Sequence, residues 1–409
     1  MPSNYHMRTK VLLDGMWHFQ IDPEGIGRNQ QWFSEENFQY LDPLFIGVVP
    51  GCWNRYSAEL HNYNGVGWYF TNFEIPSILA KKKIVLHFDG VHGDGNEGAE
   101  IYLDGKKILT QKGAYSPFEY ELTGISTETP HFLVIRIDSK QGGGIDRSVY
   151  LAFSDWIYID DNHLNQKIEW ISEKTAKSAE LTIRSFLRND TDQEWKGRID
   201  YTFTHQKAVI SATQRNFNIQ NKNSRLLTSK IIIDSPQLWS PTKPYLYELH
   251  TRVVDSKDHL VDEDFTLIGI REISSQDEKL ILNKEELPMN GLRIHYTSEQ
   301  FGSAIPTVYL MYKLERLKKE GVNLLCFDHL PDSQFLTLTD RYGFCIMESA
   351  DIFEIIDTRA ESLIKTMIFR DRNHPSVISW KYTRELDLSR SINEELVTRW
   401  INGFEKGTL

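Results

Sequence analysis

The chain carries two hydrophobic rhythms, and they change over near residue 273. Before that point apolar and polar positions alternate. Ile84, Leu86 and Phe88 fall on one side of a strand, and Ile199, Tyr201 and Phe203 on one side of another. Turn residues punctuate these runs: Asp104-Gly105 inside one hairpin, and Asp255 to Asp258 between two others. A glycine run, Gly142 to Gly144, lies near the end of the first stretch. Many short strands without a helical period predict β-sandwiches, and the length of 164–272 suits one immunoglobulin-like sandwich. After 273 the period becomes helical. Leu310, Leu314 and Leu317 form a stripe after Pro306, and Gly321 stops it. A second helix is expected from Ser333, with Phe335, Leu338 and Tyr342 inward, and a third carries Leu363, Ile364, Met367 and Ile368. Continuous apolar runs separate them: Leu324 to Phe327, Phe344 to Met347, and Val377 to Trp380. Strands that are apolar on both faces and alternate with helices predict a parallel α/β sheet. A last helix is expected over 393–404, with Leu396, Trp400 and Ile401 on one face.

Length and composition agree with this division. At roughly 100–200 residues per domain, a chain of 409 residues holds two to four domains. Hydrophobic residues at 40% and charged residues at 25% are ordinary for a globular protein. The net charge of −11 argues against a nucleic-acid partner, which needs a basic surface. No segment has the ~18 apolar residues of a membrane span. The N-terminus shows no apolar leader, so a cytoplasmic location is expected as the chain stands, or a periplasmic or secreted one if a signal was removed. The three cysteines, Cys52, Cys326 and Cys345, show no CxxC spacing and read as free thiols. Neither a metal nor a cofactor is implied, because no carboxylate/histidine cluster has ligand spacing.

Several strings narrow the reading. The first stretch contains Pro50-Gly-Cys-Trp53, Tyr63-Asn-Gly-Val-Gly-Trp-Tyr69, Leu86 to Val91, Gly113 to Phe118 and Gly143-Gly-Ile-Asp-Arg147. The second contains Leu238-Trp-Ser-Pro241, Pro244-Tyr-Leu-Tyr247 and Ile268-Gly-Ile-Arg271. The last contains Leu280 to Gly291 and Arg370-Asp-Arg-Asn-His-Pro-Ser376. Together, in this order, they resemble glycoside hydrolase family 2, the β-galactosidase and β-glucuronidase type. The resemblance implies a jelly-roll sugar-binding-like domain (1–163), an immunoglobulin-like β-sandwich (164–272) and a partial, roughly half, TIM-like β/α barrel (273–409). Most of the strings are turn glycines and core aromatics, with a structural role expected. The 370–376 string is expected to cap a helix and align the next strand.

The resemblance also says where chemistry should lie. Retaining glycosidases use two carboxyl groups ~5–5.5 Å apart. Glu385, behind Trp380, matches the family's acid/base. The family's neighbouring asparagine is Arg384 here, a cation that should lower the pKa of a general acid rather than raise it. The family's nucleophile lies three strands further on, and the chain ends at Leu409 before any such position. Other pocket positions depart as well. In Gly291 to Tyr296 the family's arginine is Ile294 and its glutamate Tyr296, while His295 remains. In Gly321 to Pro331 the arginine is Cys326, while His329 remains. The acidic pair after the third strand reads Met347-Glu348. His295, His329, Glu348 and Trp380 are therefore the candidate substrate contacts, with satisfied structural histidines and a solvated carboxylate as the plain alternatives. Losing charged pocket groups removes electrostatic stabilisation of the transition state. The expected function is a family 2-like protein of carbohydrate metabolism with weak or no hydrolysis of its own. The alternatives are a β-galactosidase-like enzyme completed by another chain, a non-enzymatic carbohydrate-binding or scaffold protein, and a fragment of a longer gene product. A β-glycoside is the expected ligand, and a second copy, a partner chain or the chain's own helix over 393–404 is expected to cover the open barrel sheet.

Overall fold

The computed structural model describes residues 8–351 and 366–383, apart from 42, 43, 94, 96, 113, 114, 123, 173, 277, 278, 296, 328 and 329. The first unit is an antiparallel sandwich. A four-stranded sheet (Thr9–Leu12, Val149–Ser154, Lys83–Phe88, Phe118–Glu121) faces a six-stranded one (Phe45–Val49, Gly15–Ile21, Gly65–Phe73, His131–Ser139, Ala99–Leu103, Lys106–Gln111). Ile84, Leu86 and Phe88 enter its core with Phe19, Trp53 and Tyr69, as alternation requires. Asp104 and Gly105 adopt φ of 49° and 76°, the paired left-handed geometry of a two-residue hairpin turn.

The second unit is a sandwich of three strands (Ile157–Ser172, Thr175–Asn189, Asn223–Asp234) on four (Ala208–Ile219, Trp195–His205, Tyr247–Asp255, Leu260–Ile268). Ile199, Tyr201 and Phe203 are fully buried in its core. The strand Ile157–Ser172 runs straight across position 163 and slips register between Ile159 and Asp161. Such a bulge re-aims the side chains that follow it. Asn162 is then locked from behind by a buried polar chain. Its amide donates to Asp264 (2.7 Å), and its carbonyl oxygen accepts from Ser185 (2.6 Å), which also meets the Tyr201 hydroxyl (2.8 Å). Burial pushes the Asp264 carboxyl up to about 6.

The third unit is a four-stranded parallel sheet in chain order: β1 (Gly291–Ile294), β2 (Leu324–Phe327), β3 (Cys345–Asp351) and β4 (Val377–Thr383). Helices α1 (Thr307–Lys319) and α2 (Ser333–Tyr342) join the first three. This is half of a TIM-type barrel. Leu310, Leu314 and Leu317 bury as the predicted stripe, against Leu325, Phe327 and Ile346. In α2 the innermost residues are Phe335, Leu336, Thr339 and Asp340, while Leu338 and Tyr342 are only partly buried. The shift has a cause: α2 contacts the second sandwich as well as its own sheet. Trp239 donates to the Asp340 carbonyl (2.9 Å). Gly343 ends α2 at φ 72°, and a Cβ there would lie 2.4 Å from the Pro241 carbonyl oxygen. Of the expected third helix, 366–371 is helical, with Met367 and Ile368 buried; Leu363 and Ile364 lie outside the described residues, as does the helix expected over 393–404.

The opposite face of the sheet carries Leu324, Cys326, Cys345, Met347 and Ile378. Trp239 and a hairpin (Lys279–Leu282, Glu285–Glu286) cover it, and Asn283 and Lys284 turn that hairpin at φ of 52° and 66°. Cys52 and Cys345 are buried free thiols, and Cys326 is half-buried.

Candidate functional site

In a parallel β/α sheet the side chains that meet a ligand project from the loops at the C-terminal ends of the strands. His295 stands there, exposed, directly after β1. His329, expected at the end of β2, and Glu385, the acid/base candidate beyond β4, lie outside the described residues. Glu348 and Trp380 are brought together, because they are register partners on β3 and β4.

Their place differs from the expectation. Glu348 is two residues beyond Ile346 and so shares its face, the one packed against the helices. Glu348 is fully buried, and half-buried Trp380 packs on the same core. Glu348 is thus a residue of the sheet–helix layer rather than a sugar contact at the rim. Burial, and then the neighbouring Asp371 carboxylate, push its pKa well above the carboxylate range, while Arg370 acts against them. Burial thus favours the protonated form of this carboxyl. Asp371 is taken up by Arg370 in a two-point ion pair (2.6 and 2.7 Å), and Arg370 also donates to the Pro331 carbonyl (2.8 Å).

The 370–376 string does more than end a helix. Arg372 is ion-paired with Asp161 of the second sandwich. Asn373 donates to the Asn162 carbonyl (2.7 Å) and accepts from the Leu164 amide (3.2 Å). A Cβ on Gly269 would lie 2.5 Å from Pro375 Cβ, so the glycine lets that ring seat. His374 donates to Asp340 (2.6 Å), whose second oxygen accepts from the Ser376 amide (3.0 Å). Burial alone would lower the His374 imidazole, but the Asp340 charge and hydrogen bond outweigh it and hold the pKa above its usual value. The string docks the α/β unit onto the bulged strand of the second sandwich.

Three family descriptions match the chain in succession. They are the sugar binding domain of glycosyl hydrolases family 2 over residues 11–167, the family's following domain over 157–271 and its TIM barrel domain over 273–358. The chain belongs to glycosyl hydrolases family 2. A β-galactosidase of Bacteroides ovatus is 25% identical over 96% of this chain and 47% of its own length. The β-glucuronidase of Bacteroides uniformis superposes with a TM-score of 0.79 at 21% identity, over 97% of this chain and 48% of that one. A family 2 member from Bacteroides cellulosilyticus gives 0.82 at 23%, over 98% and 56%. The chain spans about half the length of the curated relatives it matches.

Of the positions that differ from the expected pattern, Ile294 and Cys326 have apolar surroundings, while Tyr296 and Arg384 lie outside the described residues. Ile294 is buried against Leu310 and Leu314. Cys326 lies among Met347 and Ile378 in the cluster around Trp239. One contributor to the strand ends went unassigned in the sequence. Arg147, in Gly-Gly-Ile-Asp-Arg, crosses from the first sandwich to the loop after β2. Its signal was a charged residue set between Ile145 and Val149, both fully buried.

Proposed function

We propose that this family 2 protein recognises a β-glycoside at the C-terminal ends of β1–β4 and hydrolyses it weakly or not at all by itself. One observation supports this reading. Where the family pattern carries charged pocket groups, Ile294 and Cys326 are packed among apolar neighbours, and Glu348 is sealed under the helices. Charge developing on a cleaved glycosidic bond would find little preorganised compensation there. Glu385 remains the acid/base candidate, and a retaining reaction needs a second carboxyl ~5–5.5 Å from it. The test is a panel of nitrophenyl β-glycosides (galactoside, glucuronide, glucoside, mannoside) with Glu385→Gln as control. Turnover above background that Glu385→Gln abolishes would overturn the reading.

A second reading is a retaining β-glycosidase completed by another polypeptide. It draws on two exposed features. Strand β1 is a sheet edge, with Gly291, Leu292 and Arg293 exposed. Helix α1 turns Val308, Met311 and Tyr312 outward. A strand edge beside exposed apolar helix residues is a template for further strands and helices. Size-exclusion chromatography with light scattering tests it: a monomer that stays monomeric at high concentration and binds no hydrophobic dye counts against it.

A further inference from the structure

Arg147 belongs to the first sandwich, is 3% exposed, and spends its guanidinium on two backbone carbonyls. Nη1 donates to Tyr115 (2.7 Å) and Nη2 to Leu330 (2.6 Å), with Nε 4.0 Å from Asp332. The next carbonyl, that of Pro331, accepts from Arg370 of the α/β unit (2.8 Å). Asp332 then caps α2 by accepting from the Gln334 amide (2.6 Å). Consecutive carbonyls of the loop between β2 and α2 are therefore held by guanidinium groups from two different domains. The arrangement is built for an arginine. A Cβ on Gly90 would lie 2.9 Å from Arg147 Cδ, so the glycine leaves the side chain its room. Tyr115 presents its carbonyl from a left-handed backbone, φ 65°, a conformation costly for a bulky residue, and its ring packs 5.6 Å from the guanidinium carbon. A planar fork can serve two acceptors in fixed directions; an ammonium on a flexible stem cannot hold both.

We propose that Arg147 is a positioning residue for the carbohydrate site, through which the first sandwich fixes the loop at the end of β2. This rests on the reading of the strand ends as a glycoside site. The loop carries His329 immediately before its two clamped carbonyls. The apparent affinity of a ligand that contacts the loop in its clamped form is scaled by the fraction of molecules in which the clamp is closed. By the same linkage, a bound ligand tightens the joint between the first sandwich and the α/β unit.

Amide hydrogen exchange on the full chain tests this, with Arg147→Lys as the mild variant and Arg147→Met as the severe one. In Arg147→Lys, exchange over 332–336 is expected to accelerate about tenfold, the equivalent of losing one charge-assisted hydrogen bond. Exchange over 162–164 and 372–376, the other joint, should stay at the wild-type rate. Unchanged exchange over 332–336, or equal acceleration at both joints, would overturn the proposal, the second by reducing Arg147 to general support of the fold. Should Arg147→Met fail to fold, Arg147→Lys alone decides. Calorimetric titration with nitrophenyl β-glycosides supplies the second readout. A glycoside that binds wild type and Arg147→Lys equally overturns the coupling. Should wild type bind none, the functional reading fails by itself, and exchange still decides whether Arg147 positions the loop.

Discussion

The α/β unit is held by two joints made of different materials. Toward the second sandwich, one contiguous string, Arg372 to Pro375, supplies an ion pair, amide contacts to and from backbone, and a proline seated on Gly269. Trp239 returns the contact from the other side, fully buried and hydrogen-bonded to α2. Toward the first sandwich the polar contacts among the described residues are fewer: the Arg147 fork on Leu330, with Asp332 4.0 Å from its Nε, and the Cys52 thiol against the Ser303 hydroxyl at 3.2 Å. The lesson concerns where stability and adjustability reside. A joint made of many short contacts on one rigid string breaks cooperatively. A joint with few polar contacts, the Arg147 guanidinium chief among them, can be loosened without taking the fold apart.

Substitutions can break or sharpen that contrast. Trp239→Ala removes the largest side chain of the dense joint together with its hydrogen bond, and should cost about 3–5 kcal/mol in urea denaturation. Gly269→Ala overpacks the same joint against Pro375 and Trp239 and should cost about 1–3 kcal/mol by the same measurement. A double-mutant cycle of Asp161→Asn and Arg372→Met should give a coupling of about 1–3 kcal/mol, and a value near zero would mean that backbone contacts alone carry the dense joint.

Acidity separates the groups near Asn162. Asp264 has a folded value of about 6, above its ordinary 3.8, so its contribution is complete below the unfolded value and is lost as pH rises through 6. Asp264→Asn should therefore gain on wild type between acid and neutral pH, by on the order of 1–3 kcal/mol. His163 runs the other way. Burial, then Arg372 and Arg184, lower it to about 3. The unfolded chain takes up the proton first, so stability is lost as pH falls below 6.5, and His163→Gln should resist acid better than wild type. Urea midpoints across pH read both. The smallest effect is expected at Glu348→Gln, within ~1 kcal/mol at neutral pH, because an amide replaces a carboxyl whose protonated form burial favours. A large loss there would count against a protonated Glu348.

Much of the fold was legible in the sequence because alternation and helical stripes report burial directly. Leu86, Tyr201 and Leu314 are where their periods put them. The site was less legible. Glu348 was read from its place in a motif, yet in a strand one position decides the face, and its neighbour Ile346 faces the helices. Helix α2 turned slightly from its predicted inward face because a second domain competes for it, which its own periodicity cannot register. The 370–376 string looked like a cap and strand guide because a linear motif does not name partners two hundred positions earlier. Arg147 was hidden for the same reason, since its acceptor is a backbone carbonyl with no side-chain signature.

The strand Ile157–Ser172 belongs to two accounts at once. The matches to the first and second family descriptions overlap over its opening residues, and just past its bulge the Asp161 carboxylate and the Asn162 carbonyl meet the α/β unit. The units are therefore not interchangeable bricks. A cut at 163 would sever a hydrogen-bonded ladder and strand Arg372 and Asn373 without their acceptors, whereas a cut before Ile157 would leave both intact. Recombination between relatives would have to respect that seam, and a swapped first sandwich would have to bring an arginine at 147 that fits the recipient's loop.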